Sequence, residues 1–158
     1  MLYTRMDSPV GELLMVSDGT CLTGLYIQIL PDPSWRQEEL PLFDEVRVWL
    51  TDYFDGKRPD VSHLPMKLSG TPFQQGVWNL LLTIPYGKSC TYGDIAREMA
   101  ARTGKKTMSA QAVGQAVGRN PISIIVPCHR CVGAGGRMTG YAWGIEKKEW
   151  LLAHEART

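Results

Sequence analysis

With 158 residues, 44% of them hydrophobic and 21% charged, the chain has enough apolar material for one moderate core or two small ones, which excludes general disorder. No stretch is long and apolar enough to span a bilayer, so no membrane partner is expected. A formal net charge of +1 excludes indiscriminate binding of polyanions but allows a local basic face.

The opening residues, Met1-Leu2-Tyr3-Thr4-Arg5-Met6-Asp7, lack the basic start and apolar run of a signal peptide, and a cytoplasmic protein is expected. Residues 2–6, 12–16 and 21–27 are short apolar-rich runs, separated by Ser8-Pro9-Val10-Gly11 and Ser17-Asp18-Gly19-Thr20. Those separators are turn chemistry and predict a three-stranded antiparallel meander. After Pro31-Asp32-Pro33, the residues Leu42, Phe43, Val46, Val48, Trp49, Leu50, Tyr53 and Phe54 recur at helical spacing and stop near Gly56. This predicts one amphipathic helix whose aromatics belong to the core. Residues 57–70 carry Pro59, Pro65 and Gly70 without periodicity and read as a connector.

Thr71-Pro72-Phe73 opens a second helix, with Thr71 as N-cap and Pro72 in the first turn, running to about Ile84. Residues 91–100 form a capped helix, a polar stretch follows through Gly104, and residues 109–118 form another helix. Two short helices joined by a turn suggest a helix-turn-helix that meets DNA, although packed helix pairs without DNA share that spacing. Ala112, Gly114, Ala116 and Gly118 predict close packing of the second of these helices. Residues 122–126, Ile-Ser-Ile-Ile-Val, read as a buried β-type run ending at Pro127-Cys128-His129-Arg130. Residues 145–155 predict a last helix with its apolar side on Ile145, Trp150, Leu151 and Leu152. The fold class expected is α+β: a small α/β N-terminal module over residues 1–64, then a mostly helical C-terminal domain over residues 69–158 containing the helix-turn-helix.

Charge is segregated along the chain. Asp32, Glu38, Glu39, Asp44, Glu45, Asp52, Asp55 and Asp60 crowd residues 31–60, whereas Arg97, Arg102, Lys105, Lys106, Arg119 and Arg130 face only Glu98 within residues 97–130. Nucleic acid is therefore expected at the second half.

Cys21, Cys90, Cys128 and Cys131 are scattered, which predicts thiols rather than a disulfide framework. A cysteine attacks as thiolate and needs a base or positive potential nearby. A turn forced by Pro127 would bring His129 round to Cys128, directly or through one water, and an acid such as Glu155 would fix the imidazole tautomer. The residues alone leave two other readings open. Cys128 serves equally as a small buried hydrophobe beside a satisfied core histidine. Cys128, His129 and Cys131 could instead supply three metal ligands, but no second ligand pair has matching spacing and no metal is expected.

Thr71-Pro72-Phe73-Gln74 with Val77-Trp78, Ile84-Pro85-Tyr86-Gly87, Thr91-Tyr92-Gly93, Ala112-Val113-Gly114, Asn120-Pro121-Ile122, residues 125–130, Thr139-Gly140-Tyr141 and residues 148–155 follow one another in a characteristic order. In that order they resemble the O6-alkylguanine-DNA alkyltransferase family, densely over residues 69–155 and only in outline over residues 1–60. The resemblance implies direct reversal of DNA damage, by irreversible single-turnover transfer of an alkyl group from O6-alkylguanine, or O4-alkylthymine, to Cys128 after the nucleotide is flipped out. It implies His129 as water-mediated base, Glu155 as its orienter and Asn120 as brace of the turn that holds the cysteine. Tyr92 would press on the target phosphate, while Val126, Pro127, Tyr141 and Ala142 would line the pocket. Double-stranded DNA carrying an alkylated guanine is the implied partner, the protein acting as a monomer without cofactor.

The sequence departs from the family pattern at three places. Gln111 stands where an arginine usually fills the gap left by the flipped base, so weaker DNA binding or help from Arg119 is expected, with Arg130 also near the DNA. Trp143 replaces a small residue at the pocket rim and bears on which adducts fit. Cys131 replaces an aliphatic residue and reads as core. The alternative reading is an alkyltransferase-like protein that binds alkylated DNA without transfer, but such relatives replace the acceptor cysteine. A helix-turn-helix regulator is the other rival, and it would leave residues 127–130 without purpose.

Overall fold

A computed structural model describes residues 1–158, which form two compact units. One comprises Met1–Ser69 with Pro121–Ile125 and Thr158, the other Gly70–Asn120 with Val126–Arg157.

In the first unit the predicted meander is present as β1 (Leu2–Met6), β2 (Leu13–Ser17) and β3 (Leu22–Ile27), paired antiparallel in sequence. A fourth strand not anticipated from sequence, β4 (Arg36–Gln37), pairs parallel with β1 and gives the order β3-β2-β1-β4. Two residues of Arg and Gln carry no periodicity, so only the exposed edge of β1 could have announced it. All five residues of β2 are buried, as a central strand covered on both faces requires. Helix α1 (Pro41–Phe54) buries Phe43, Val46, Leu50 and Tyr53, the i, i+3, i+7, i+10 stripe expected of it, and Arg47 on its flank donates to Thr4 of β1 at 2.8 Å.

Residues 122–126 do not form the strand expected of them. Leu25 makes a single parallel bridge to Ile122, with Leu25 N–H donating to Pro121 O at 2.8 Å and Ser123 N–H to Leu25 O at 3.1 Å. The chain then turns at Ile124, which sits at φ 70 while Ile125 N–H donates back to Ser123 O at 2.8 Å. A β-branched residue in the left-handed region costs on the order of 1–3 kcal/mol and persists only where its surroundings hold it. Ile124 is fully buried, and that burial is what holds it. The β-branched composition reported burial correctly and extension wrongly.

The second unit is helical. Helix α2 (Pro72–Leu81) starts in a capping box, Gln74 N–H donating to Thr71 Oγ1 and Thr71 N–H to Gln74 Oε1, and ends three residues short of Ile84 as the chain tightens toward Pro85. Strand β5 (Cys90–Thr91) leads directly into α3 (Tyr92–Thr103), whose N-cap Thr91 forms a second capping box with Asp94. Gly104 closes α3 at φ 71, the left-handed C-cap that glycine adopts without strain. Ser109 caps α4 (Ala110–Gly118), completing the helix-turn-helix, and Trp78 Nε1 donates to Ala116 O at 2.8 Å to fasten α2 against it. The close packing expected of the small residues in α4 does not extend to its glycines: a Cβ added at Gly114 would make only ordinary contact with the Tyr92 ring, at 3.8 Å, and one added at Gly118 would meet nothing within 4 Å.

Strand β6 (Cys131–Val132) pairs parallel with β5, and α5 (Ile145–Arg157) closes the unit. The buried side of α5 is Lys148, Leu151, His154 and Glu155, which corrects the expected Ile145–Trp150–Leu151–Leu152 face. Ile145 is 41% exposed. No helix is long and apolar enough to cross a membrane.

Candidate active site

The site is built on two tight turns around Pro127. Cys128 N–H donates to Val126 O at 2.8 Å across Pro127, whose φ −83 and ψ 65 make an inverse γ-turn. The proline ring fixes φ and has no N–H to leave stranded. A 3₁₀ turn over Cys128–Arg130 follows at once, Arg130 N–H donating to Pro127 O at 3.0 Å. Asn120 Nδ2 donates to the same Val126 oxygen at 2.8 Å, so it braces the turn from outside it. Two donors on one buried carbonyl pin the backbone that presents the thiol.

Cys128 is 6% exposed. Burial pushes its thiol above the ordinary cysteine range, opposed in smaller measure by the neighbouring Asn120 amide, the positive charge of Lys148 and the Tyr141 hydroxyl. The resting sulfur is thus a protonated thiol that needs a base. His129 is fully buried, and burial holds it below the usual histidine range, so its ring is neutral. Its Nε2 lies 2.5 Å from Glu155 Oε2. Glu155 also accepts from Arg130 Nε at 2.8 Å, Arg130 Nη2 at 3.2 Å and Gly87 N–H at 3.0 Å. Burial alone would raise Glu155, but the bonds from His129 and Arg130 outweigh it and hold the carboxyl well below the usual carboxylate range. A carboxylate accepts only, so Nε2 must carry the proton and Nδ1 of the neutral ring keeps its lone pair. The arrangement produces a base at Nδ1 whose conjugate acid is stabilised by an anion behind it.

Arg130 differs from expectation. Its guanidinium is 11% exposed and directs its donors inward, to Glu155 and, through Nη1, to Ile84 O at 2.8 Å, instead of toward DNA. Its work is to hold Glu155 ionised.

Lys148 was not singled out from sequence. Fully buried on α5, it donates from Nζ to Thr139 O at 3.3 Å and lies 5.8 Å over the Tyr92 ring. Burial lowers its ammonium below the ordinary lysine range, and the neighbouring thiols act the other way. The signal was available: Lys148, Leu151 and Glu155 stand at i, i+3, i+7, so a buried Glu155 turns Lys148 inward as well. Tyr92, the first residue of α3, accepts from Thr139 Oγ1 at 3.2 Å, and burial raises its phenol.

Val126 and Pro127 are buried beside the thiol, Tyr141 and Trp143 are half-buried, and Ala142 is exposed. Gly144 N–H donates to Tyr141 O at 3.0 Å, closing the turn that carries these three residues. Gln111 is exposed in the first turn of α4. Arg119 and Gln115 line a groove of about 810 Å³ between α2 and α4, while Arg97, Lys105 and Lys106 line another of about 430 Å³ between α3 and α4. Arg97 pairs with Asp94 and Arg102 with Glu98, which leaves Lys105, Lys106 and Arg119 as the cations of residues 97–130 without an acidic partner. No three side chains of His, Cys, Asp or Glu gather to hold a metal ion.

Comparison with known proteins agrees with this geometry. Residues 72–157 match the family model described as 6-O-methylguanine DNA methyltransferase, DNA binding domain, and residues 1–68 match 6-O-methylguanine DNA methyltransferase, ribonuclease-like domain. A methylated-DNA–protein-cysteine methyltransferase of Haemophilus influenzae is 43% identical over 98% of this chain and 86% of its own length. One from Mycobacterium leprae is 42% identical over 98% of this chain and 93% of its own. Among solved structures, Mycobacterium tuberculosis OGT in complex with DNA matches with a TM-score of 0.86 at 41% identity, covering 99% of this chain and 94% of that one.

Proposed function

The chain belongs to the 6-O-methylguanine DNA methyltransferase family, and from that premise we propose that it reverses DNA alkylation by moving the alkyl group from the O6 of guanine onto Cys128. The observation that carries the assignment is the buried Cys128 beside a neutral His129 whose far nitrogen faces an ionised Glu155 at 2.5 Å.

An O6 atom stacked in a duplex cannot reach a buried thiol, so the nucleotide must leave the stack at a cost of a few kcal/mol, least for a damaged pair. His129 Nδ1 then takes the Cys128 proton through a bridging water, and the sulfur attacks the alkyl carbon opposite O6. The carbon–oxygen bond breaks, its electron pair goes to the guanine, and a proton reaches the base from the donors near the thiol, Tyr92, Tyr141 and Lys148. Positive charge left on His129 is met by Glu155, so charge moves between preformed partners. Asn120 is a positioning residue. Pocket walls come from Val126, Pro127, Tyr141 and Ala142, with Trp143 at the rim. A thioether has no hydrolytic partner among these side chains, so each molecule acts once.

The retained Cys128 speaks against a non-catalytic binder of alkylated DNA, and a buried Cys–His–Glu array is superfluous in a transcription regulator. We further propose that the protein acts as a monomer in the cytoplasm, its array being assembled within one unit of one chain and its four cysteines being thiols.

The decisive measurement is intact mass after incubation with a duplex containing O6-methylguanine. One added methyl on the peptide bearing Cys128 is the expected result, and an unmodified chain that still binds the duplex would overturn it.

Gln111 is proposed to occupy the space of the extruded base from the minor-groove side. Gln111→Arg should tighten duplex binding at low salt and steepen the dependence of log K on log salt by about 0.9, one additional phosphate-range cation. An unchanged slope and affinity in a fluorescence titration would mean that Gln111 does not meet DNA.

A further inference from the structure

Alkyl transfer uses one of the four cysteines, yet two others are placed opposite each other. Strands β5 and β6 run parallel with Cys90 in register with Cys131. Paired strands lie about 4.8 Å apart, and in-register side chains point to the same face. That spacing falls inside the roughly 4.4–6.8 Å between α-carbons that a disulfide spans. The two thiols are close enough to act on each other, and that interaction holds Cys90 below the ordinary thiol range and, together with burial, Cys131 above it. Cys90 is half-buried and within reach of a small oxidant, whereas Cys131 is fully buried and Cys128 nearly so. The pair also adjoins the chemistry: Cys131 N–H donates to Cys128 O, and Cys90 precedes Tyr92 by two residues.

We propose that Cys90 and Cys131 form a reversible dithiol that takes up oxidising equivalents ahead of the acceptor Cys128. With a peroxide as oxidant, the Cys90 sulfur attacks one peroxide oxygen, the O–O bond breaks, and Cys90 becomes a sulfenic acid as the first water or alcohol leaves. The Cys131 sulfur then displaces hydroxide from that sulfenic sulfur. The S–S bond forms, and the Cys131 proton leaves with the hydroxide as water. Two thiols are oxidised by two electrons in all and one peroxide is reduced. Small thiols reverse the reaction by exchange. The acceptor, buried and protonated at rest, is the poorer nucleophile toward the same oxidant.

The pairing is independent of alkyl transfer, whereas its value to Cys128 rests on the proposed acceptor role, so both are measured. The full chain is exposed to one equivalent of hydrogen peroxide at neutral pH, quenched in acid, denatured, alkylated and digested. A Cys90–Cys131 linked peptide, about 2 Da lighter than its separate parts, should be the first oxidised product. Cys128 should remain alkylatable, and reduction should restore both free thiols. In Cys90→Ser, and equally in Cys90→Ala, Cys128 should oxidise several-fold faster than in the native chain. Oxidation of Cys128 first, a Cys128–Cys131 link, or unreacted thiols under conditions that oxidise dithiothreitol would each overturn the proposal. Failure of methyl transfer with the linked peptide intact would overturn the acceptor assignment alone.

Discussion

With serine in place of Cys128, methyl transfer from an O6-methylguanine duplex is expected to fall by at least about 1,000-fold, while binding of the duplex persists. Even a thiol pushed above its ordinary range by burial gives its proton to a neutral imidazole far more readily than a serine hydroxyl does, and the hydroxyl is the weaker nucleophile at carbon. The substitution removes one polarisable atom from a buried position, and the turn around it is held by the Asn120 side-chain bond and the Cys128 backbone bond to Val126 O, which serine keeps. The fold should therefore survive. Intact mass should show a gain of about 14 Da, one methyl replacing one hydrogen, in the native chain and none in Cys128→Ser. Mobility-shift titration should give comparable affinities for the two. Methylation of the variant at a native rate would move the acceptor to another residue, and loss of both transfer and binding would point to a damaged fold.

The turn that positions this sulfur was legible in part. Proline, cysteine and histidine in succession state that the chain bends and that a nucleophile lies next to a base, and Glu155 was identified as the acid behind the histidine. What could not be read was the means. Residues 122–126 have the composition of a strand because β-branched residues favour both extension and burial, and Ile124 takes burial without extension, at φ 70. Helix α5 misled in the same way. Apolar residues are expected on its inner face, but ion pairing lets Glu155 enter and the Thr139 carbonyl and Tyr92 ring receive Lys148, so charge lies inside and Ile145 outside. Caps were legible at Thr71 and Thr91, and Ser109, expected within its helix, caps it as well; each accepts from the backbone N–H three residues on, because short polar side chains satisfy helix starts by purely local geometry. Strand β4 and the Cys90–Cys131 register depend on contacts distant in sequence, and no local pattern encodes them.

Glu155→Gln should lower the rate of methyl transfer by about 100-fold or more and destabilise the protein by about 3 kcal/mol. Four donors converge on this carboxylate: His129 Nε2, Arg130 Nε and Nη2, and the Gly87 N–H. An amide offers one oxygen in place of two and brings two hydrogens of its own, so at least one donor meets a donor and Arg130 loses its counter-charge in a site where Glu155 is 1% and Arg130 11% exposed. The imidazole is affected in turn. Without an anion at Nε2 the tautomer with a lone pair on Nδ1 is no longer enforced, and the cation formed when His129 takes the thiol proton is no longer compensated. The pH dependence of stability separates this from a general packing defect. Glu155 is held below its ordinary value in the folded state, so its contribution is fully present above the unfolded value of about 4.5 and is lost as pH falls toward the depressed folded one. Urea denaturation should therefore show the full gap between native chain and variant at pH 7 and a narrowing gap below about pH 4.5. A gap of constant size across that range would assign the loss to packing, and the carboxylate would then not be the charged partner on which the His129 base depends.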